Sequence, residues 1–403
     1  MRGRGWLLGA AVIDSVGSGF VYAFAVVFFL TRSDLSLAQV GLALTLAQLL
    51  VLPMPTLTGP LTDRWGARRV TVIANIVSAS GFVGYLAASS FWEVVAAAFT
   101  VQVGVAAYWT AYSPLVAEAV PSSDLNRWFG MINAARNAGV GIGGAVSGLA
   151  LATAGTSVLD WLVAANVASY LLAAALVGGR RTPAERVSRP ASPGHPLPAR
   201  RPRAGGYRAV LADRAFIVLV GINVVFVLGT LVWSVLLAVY VVDVLHERAW
   251  LAGALLALNT ALIAGLQTLV VRGVERRRTT RVIAVAAIMN AVAFVAFWAL
   301  GAAPSWVVVP GLVLAVGIYT VAEMLHSPAL SALSVVLPPP ELRGRYQALF
   351  QMSWTIGGAI GPALFTTLLA IDDALPWLLL CALSLLVLPA IRPLEHRIPS
   401  LST

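Results

Sequence analysis

The chain has 403 residues, of which 59% are hydrophobic and 11% charged, and its mean hydropathy is +0.86. A water-soluble globule carries nearer one quarter charged residues, so the composition excludes one and names lipid as the surrounding solvent. The net charge of +10 comes from 27 arginines with no lysine; they are scattered over short polar breaks rather than gathered on one face, so no nucleic-acid partner is indicated.

About twenty apolar residues cross a bilayer as a helix. Twelve such runs are predicted, near residues 6–30, 36–58, 70–89, 92–119, 128–152, 159–178, 216–242, 249–271, 282–301, 306–334, 346–370 and 374–391. They are uniformly apolar, whereas barrel strands would alternate, so the expected class is an all-α integral membrane protein. The first run is too long, and lacks the small-residue cleavage pattern, to be a removable signal peptide.

In chain order, the first run carries Asp14, one of three ionisable residues inside predicted spans; the others are Arg136 in the fifth and Glu323 in the tenth. Charges in hydrocarbon are costly and therefore functional candidates. The break after the second run reads GPLTDRWGARRV, and the fourth run offers Gln102, Tyr108, Trp109 and Tyr112. The fifth holds a ladder of small residues, Gly130, Gly139, Gly143, Gly144 and Gly148. Such a ladder lets two membrane helices touch backbone to backbone.

A Pro- and Arg-rich stretch at 180–214, containing His195, follows the sixth run and is expected to be a flexible linker. Contact with anionic lipid head groups is its functional alternative. The seventh run brings Asn223 and Trp233, and the break after the eighth reads VRGVERRRTTRV. On the tenth, Tyr319, Glu323 and His326 are four and three apart and share a helix face. In the eleventh the ladder returns 218 residues on: Arg127 maps to Arg345, Gly139 to Gly357, Gly143 to Gly361 and Gly144 to Pro362. The chain is thus built twice, with halves at 1–179 and 215–403 joined by the linker. The single Cys381 lies in the last run, which excludes an intrachain disulfide.

Starting with the N-terminus on one side, the loops on that side hold 24 of the arginines, while the opposite loops hold only Arg32 and Arg248. Positive loops stay cytoplasmic, so both termini are expected inside, as an even number of spans requires. Trp6, Trp92, Trp128, Trp161, Trp250, Trp306 and Trp377 fall near run ends, where an amphipathic ring prefers the interface.

In GPLTDRWGARRV, Gly59, Leu61, Asp63, Arg64, Gly66, Arg68 and Arg69 match the signature between the second and third helices of the major facilitator superfamily, with Thr62 and Ala67 departing from it. The second-half loop keeps Glu275 and Arg276 at offset 212 but lacks the glycines. The resemblance implies twelve helices in two six-helix halves, and an Asp63 cluster with Arg64 and Arg68 or Arg69 that locks one conformer. A basic loop that only sets topology is the plainer reading. The ladder resembles the fifth-helix motif of the drug:proton antiporter branch, with Gly144 where proline is usual and Ser147 before Gly148. The fourth-helix arginine of that branch is absent, Phe99 standing in its place.

In that family the first and fifth helices are neighbours, so the resemblance implies a pair between Asp14 and Arg136. Glu323 has no evident partner in its own half, and a lone buried carboxylate suits proton coupling; Asp14 is the second candidate. A structural bridge at Asp14 and a polar-core cap at Glu323 remain open alternatives. The family's first, fourth, seventh and tenth helices line a cavity, which makes Tyr108, Trp109, Tyr112, Asn223, Trp233, Tyr319 and His326 substrate candidates. Aromatic walls with one acid suit amphipathic or cationic molecules.

No phosphate loop, metal-ligand cluster or nucleophile elbow occurs, so an enzyme is not expected, nor a metal or other cofactor. The expected function is proton-coupled efflux of a drug-like or secondary-metabolite small molecule across the cytoplasmic membrane, by a monomer whose other partners are protons and membrane lipid. An importer, facilitator or lipid flippase on the same fold is the alternative, and a transport-dead sensor or scaffold comes from a different class.

Overall fold

The computed structural model describes residues 5–22, 24–179, 206–248 and 250–395, and among these there is no strand. The chain opens with α1 (Gly5–Tyr22), α2 (Ala25–Arg32), α3 (Leu37–Leu50), α4 (Met54–Trp65), α5 (Ala67–Ala87), α6 (Phe91–Ala119), α7 (Leu125–Ala154) and α8 (Leu159–Gly178). It continues with α9 (Gly206–Ala212) and α10 (Arg214–Thr230), then two π-helical turns at Val232–Leu236 and Tyr240–Val244. The last elements are α11 (Trp250–Val274), α12 (Thr279–Leu300), α13 (Ser305–Val336), α14 (Arg343–Ile371), α15 (Leu375–Ala390) and α16 (Arg392–Glu395).

Most predicted runs overlap one helix or two consecutive helices, while the seventh continues from α10 through the two π-helical turns. Among the described residues, seven helical stretches are long and apolar enough to cross a membrane, or up to ten if each bent pair is one span. The helix ends are written in the sequence. Ser36 and Gln39 form a capping box on α3, Ser90 and Glu93 another on α6, and Asp213 accepts from Phe216 N–H to start α10. Pro53 lies in the break at which α3 and α4 bend by 46°, and Pro55 stands in the first turn of α4.

The offset of 218 residues recurs in the element starts. A 3₁₀ turn, Ser122–Asp124, leads into α7 at Leu125, and its counterpart Pro340–Leu342 leads into α14 at Arg343, again 218 positions on.

Two compact units result. Unit 1 comprises Met1–Leu125, Ala135–Tyr207 and Pro339–Ala348; unit 2 comprises Asn126–Ala134, Arg208–Pro338 and Leu349–Thr403. Unit 1 packs Phe28, Phe29, Phe82, Tyr85 and Tyr170 into one aromatic core. Arg32 ties its outer rim, donating to both Asp160 carboxylate oxygens at 2.6 Å and to the Leu86 carbonyl. Unit 2 is centred on Trp377, which is stacked on Phe297 at 4.8 Å and set edge-on to Tyr240. Lipid tails are as apolar as leucine, so such contacts hold helices together by close packing rather than by expelling water.

Trp92, Trp161, Trp250 and Trp306 are 65–78% exposed, as interface anchors require. Trp128 and Trp377 are not anchors: both are buried in protein. Residues 180–205 of the expected linker, His195 among them, lie outside the described residues, whereas residues 206–212 fold as α9.

Candidate functional site

Arg136 and Asp14 meet in unit 1. The guanidinium Nη1 lies 3.1 Å from Asp14 Oδ2, with the carboxylate buried and Arg136 largely so. The approach rests on the ladder. Gly139, one turn after Arg136, faces Ser15, and a Cβ on Gly143 would strike the Val16 carbonyl and Gly19. With no side chain between the backbones, an acid as short as aspartate spans the gap from α1 to α7. Gly144 and Gly148 have nothing within 4 Å of a built Cβ, so these two rungs are not part of that contact. In the second copy Gly357 and Gly361 lie against the side chains of Val227 and Leu231 rather than against backbone, and Pro362 is exposed.

Three aromatic residues of α6 surround the same guanidinium. Tyr108 Oη accepts from Arg136 Nη1 at 2.9 Å, and Arg136 Cζ lies 4.4 Å from the Trp109 ring centroid, 5.4 Å from Tyr108 and 6.0 Å from Tyr112. These π faces already hold a cation that belongs to the protein. Their availability to a cationic ligand, expected from composition alone, is reduced accordingly.

Glu323 sits in unit 2. Contrary to expectation it has a partner, though a neutral one: Asn259 Nδ2 donates to Glu323 Oε2 and to Thr320 Oγ1, each at 3.0 Å. Among the described residues no cation lies within ion-pair distance of Glu323. One turn on, His326 is buried with its ring stacked 3.9 Å from Phe226. Tyr319, also buried, meets Trp233 edge-on at 5.5 Å, and Asn223 donates to Ser353 Oγ at 2.5 Å. Trp233 occupies the first π-helical turn, an arrangement that often marks functional positions. A separate cavity of about 340 Å³ in unit 2 is lined by Leu236, Phe365, Asp243 and Asp373 among others, and by none of the predicted residues.

The Asp63 cluster has a different composition from the one expected. Asp63 accepts from Gly344 N–H at 2.5 Å, from Arg345 N–H at 3.3 Å and from Arg345 Nη1 at 2.8 Å. The expected partners are engaged elsewhere or point outward: Arg68 donates to the Gly178 carbonyl at 2.8 Å, and Arg64 and Arg69 are exposed. Asp63 thus caps the first turn of α14, where free N–H groups and the helix dipole favour an anion. Gly59 and Gly344 make this possible, because a Cβ on Gly344 would collide with the Gly59 carbonyl and one on Gly59 would lie 2.9 Å from Gly344 O. Gly66 ends α4 at φ 85°, in the left-handed region that glycine reaches without strain.

Unit 2 contains the second copy of this arrangement. Arg127 Nε stands 3.8 Å from Glu275 Oε1, with both side chains partly exposed. Gly130 lies against Val271. Arg345, Asn259 and Phe226 escaped sequence reasoning. In sequence Arg345 reads only as the repeat of Arg127, and Asn259, one of two amides with Gln267 in the apolar eighth run, is the available signal for Glu323. Among the described residues no three His, Cys, Asp or Glu gather to hold a metal.

The family profile described as Major Facilitator Superfamily matches residues 7–362. The chain is 22% identical over 400 residues to the multidrug resistance protein MdtH of Enterobacter sp. (strain 638), covering 96% of this chain and 93% of that one. Among solved structures it is similar to a bacterial homologue of the iron transporter ferroportin in the outward-facing state, with TM-score 0.78, 16% identity, and 98% of this chain and 100% of that chain covered. The E. coli fucose:proton symporter gives TM-score 0.76 at 15% identity, with 98% of each chain covered. At these identities the solved structures show the fold alone.

Proposed function

Since the chain belongs to the Major Facilitator Superfamily, we propose that it is a proton-coupled exporter of drug-like or secondary-metabolite molecules in the cytoplasmic membrane. It is a multi-pass membrane transporter of small molecules and not an enzyme. The likeness to a multidrug resistance protein over 96% of the chain supports export of drug-like compounds. Twelve spans with both termini inside complete the reading. In this reading Arg32 and Asp160 pair on the outer side and Asp63 and Arg345 on the inner side.

The observation that carries proton coupling is Glu323. Its carboxylate is partly buried in a membrane helix and is hydrogen-bonded by a neutral amide rather than neutralised by a cation. Such a group gains or loses a proton without breaking an ion pair. Asp14, paired with Arg136, is the second coupling candidate. Asp63 is the lock: its three hydrogen bonds support one conformer of an alternating-access cycle, with linker 180–214 joining halves 1–179 and 215–403.

The test is transport by purified protein in liposomes. Compounds are first chosen from a susceptibility screen with the gene deleted and overexpressed; resistance on overexpression supports export, and loss of growth on a nutrient supports import. Substrate-driven proton movement is then compared between the native protein and Glu323→Gln. Unchanged exchange removes Glu323 from the mechanism.

A further inference from the structure

The helix that carries Asp63 has a defect built into its sequence. Pro60 stands inside α4 and has no N–H, so the carbonyl four residues earlier, on Thr56, loses its helical donor. In or beside a membrane an unpaired carbonyl is costly, and some other group has to supply the bond. That group comes from the end of the linker: Tyr207 Oη donates to Thr56 O at 2.5 Å.

The placement next to the lock is close. A Cβ on Gly59 would lie 2.9 Å from Tyr207 Oη and 2.9 Å from both Gly344 O and the Ala348 side chain. Gly59 and Asp63 are four apart and share a face of α4. Thr56, Pro60, Asp63, Tyr207, Gly344 and Arg345 all belong to unit 1. Burial pushes the Tyr207 hydroxyl up to about 12, with Arg345 pulling it down and Asp63 pushing it up, so it remains a donor throughout the physiological range.

We infer that Tyr207 is a latch: by completing the proline-interrupted turn of α4 it holds Asp63 in register with Gly344 and Arg345, so that the end of the linker controls the lock. Tyr207 is a positioning residue and acts through α4. The inference rests on the reading of Asp63 as a conformer lock.

The experiment needs no transport and no substrate. In a Cys381→Ser background, Thr62→Cys places a thiol on a buried position that a Cβ at Gly344 would meet, and its reaction rate with a hydrophilic maleimide reports release of the contact. Tyr207→Phe keeps the ring and removes the donor, and is expected to raise the rate about fivefold, the factor carried by one net hydrogen bond. Pro60→Ala restores an N–H for Thr56, so in that background Tyr207→Phe is expected to change nothing. A rate unmoved by Tyr207→Phe, or moved equally in both backgrounds, overturns the latch. Asp63→Asn separates the two readings. If it speeds labelling while Tyr207→Phe does not, the latch alone falls; if it too has no effect, the lock falls and the latch with it.

Discussion

Asp63 and Arg345, 282 positions apart in the chain, form an ion pair at 2.8 Å whose carboxylate also caps the helix that Arg345 begins. The repeat places Arg127 where Arg345 stands and Glu275 where Asp63 stands, yet that second pair is open to 3.8 Å and carries no capping bond among the described residues. The two copies therefore differ in strength, and the difference is measurable.

Asp63→Asn removes the charge but keeps one acceptor oxygen, so the net loss is about that of a single hydrogen bond to a charged group, about 2 kcal/mol. Maleimide reactivity at Thr62→Cys should rise by roughly thirtyfold, since about 1.4 kcal/mol is a factor of ten. Glu275→Gln, at a partly exposed pair, should shift the same measurement by no more than about 0.5 kcal/mol. Equal effects of the two substitutions contradict this ranking.

Arg136→Gln strands the Asp14 carboxylate in a buried site, and breaking such a pair costs about 3–5 kcal/mol. Thermal unfolding in detergent should show a marked loss for Arg136→Gln and for Asp14→Asn. The double variant should be more stable than the sum of the two losses requires, because it leaves neither charge alone.

Asn259→Leu removes the donor to Glu323 while leaving the carboxylate in place. Substrate-driven proton movement should then persist with a shifted pH profile, in contrast to its loss in Glu323→Gln. A profile identical to that of the native protein detaches Asn259 from the coupling site.

The two neighbouring glycines of the ladder should behave oppositely. Gly143→Ala drives a Cβ into the backbone of α1 and should cost about 1–3 kcal/mol, the usual range for overpacking. Gly144→Ala meets nothing within 4 Å and should be neutral or stabilise α7 by up to about 1 kcal/mol, the difference in helix propensity. Unfolding midpoints of the two variants decide it.

How much of this was legible can be judged residue by residue. Asp14 and Arg136 stand out in sequence because each is a charge in an apolar run, and the resemblance implied their pairing. The structure adds the mechanism of approach, Gly139 and Gly143. The Asp63 loop was legible as a motif, but its partners were assigned to the nearest arginines in sequence. Local adjacency misled there because the basic side chains beside Asp63 on a helix end project outward, whereas the free N–H groups of α14 supply a better-directed site. The aromatic residues of α6 were legible as a set, but composition does not tell whether a ring face is empty or already holds Arg136.

By itself the sequence determined the solvent and the helical class, and set the expected doubling and the expected sides of the loops. These follow from hydropathy, periodicity and arginine placement, which are properties of each segment alone. Only the tertiary structure decided which acid meets which donor: Asp63 with Gly344 and Arg345, Glu323 with Asn259, and Thr56 with Tyr207. A hydrogen bond acts over about 3 Å and demands direction, so its partner is chosen by the packing of helices remote in sequence, which no single segment encodes.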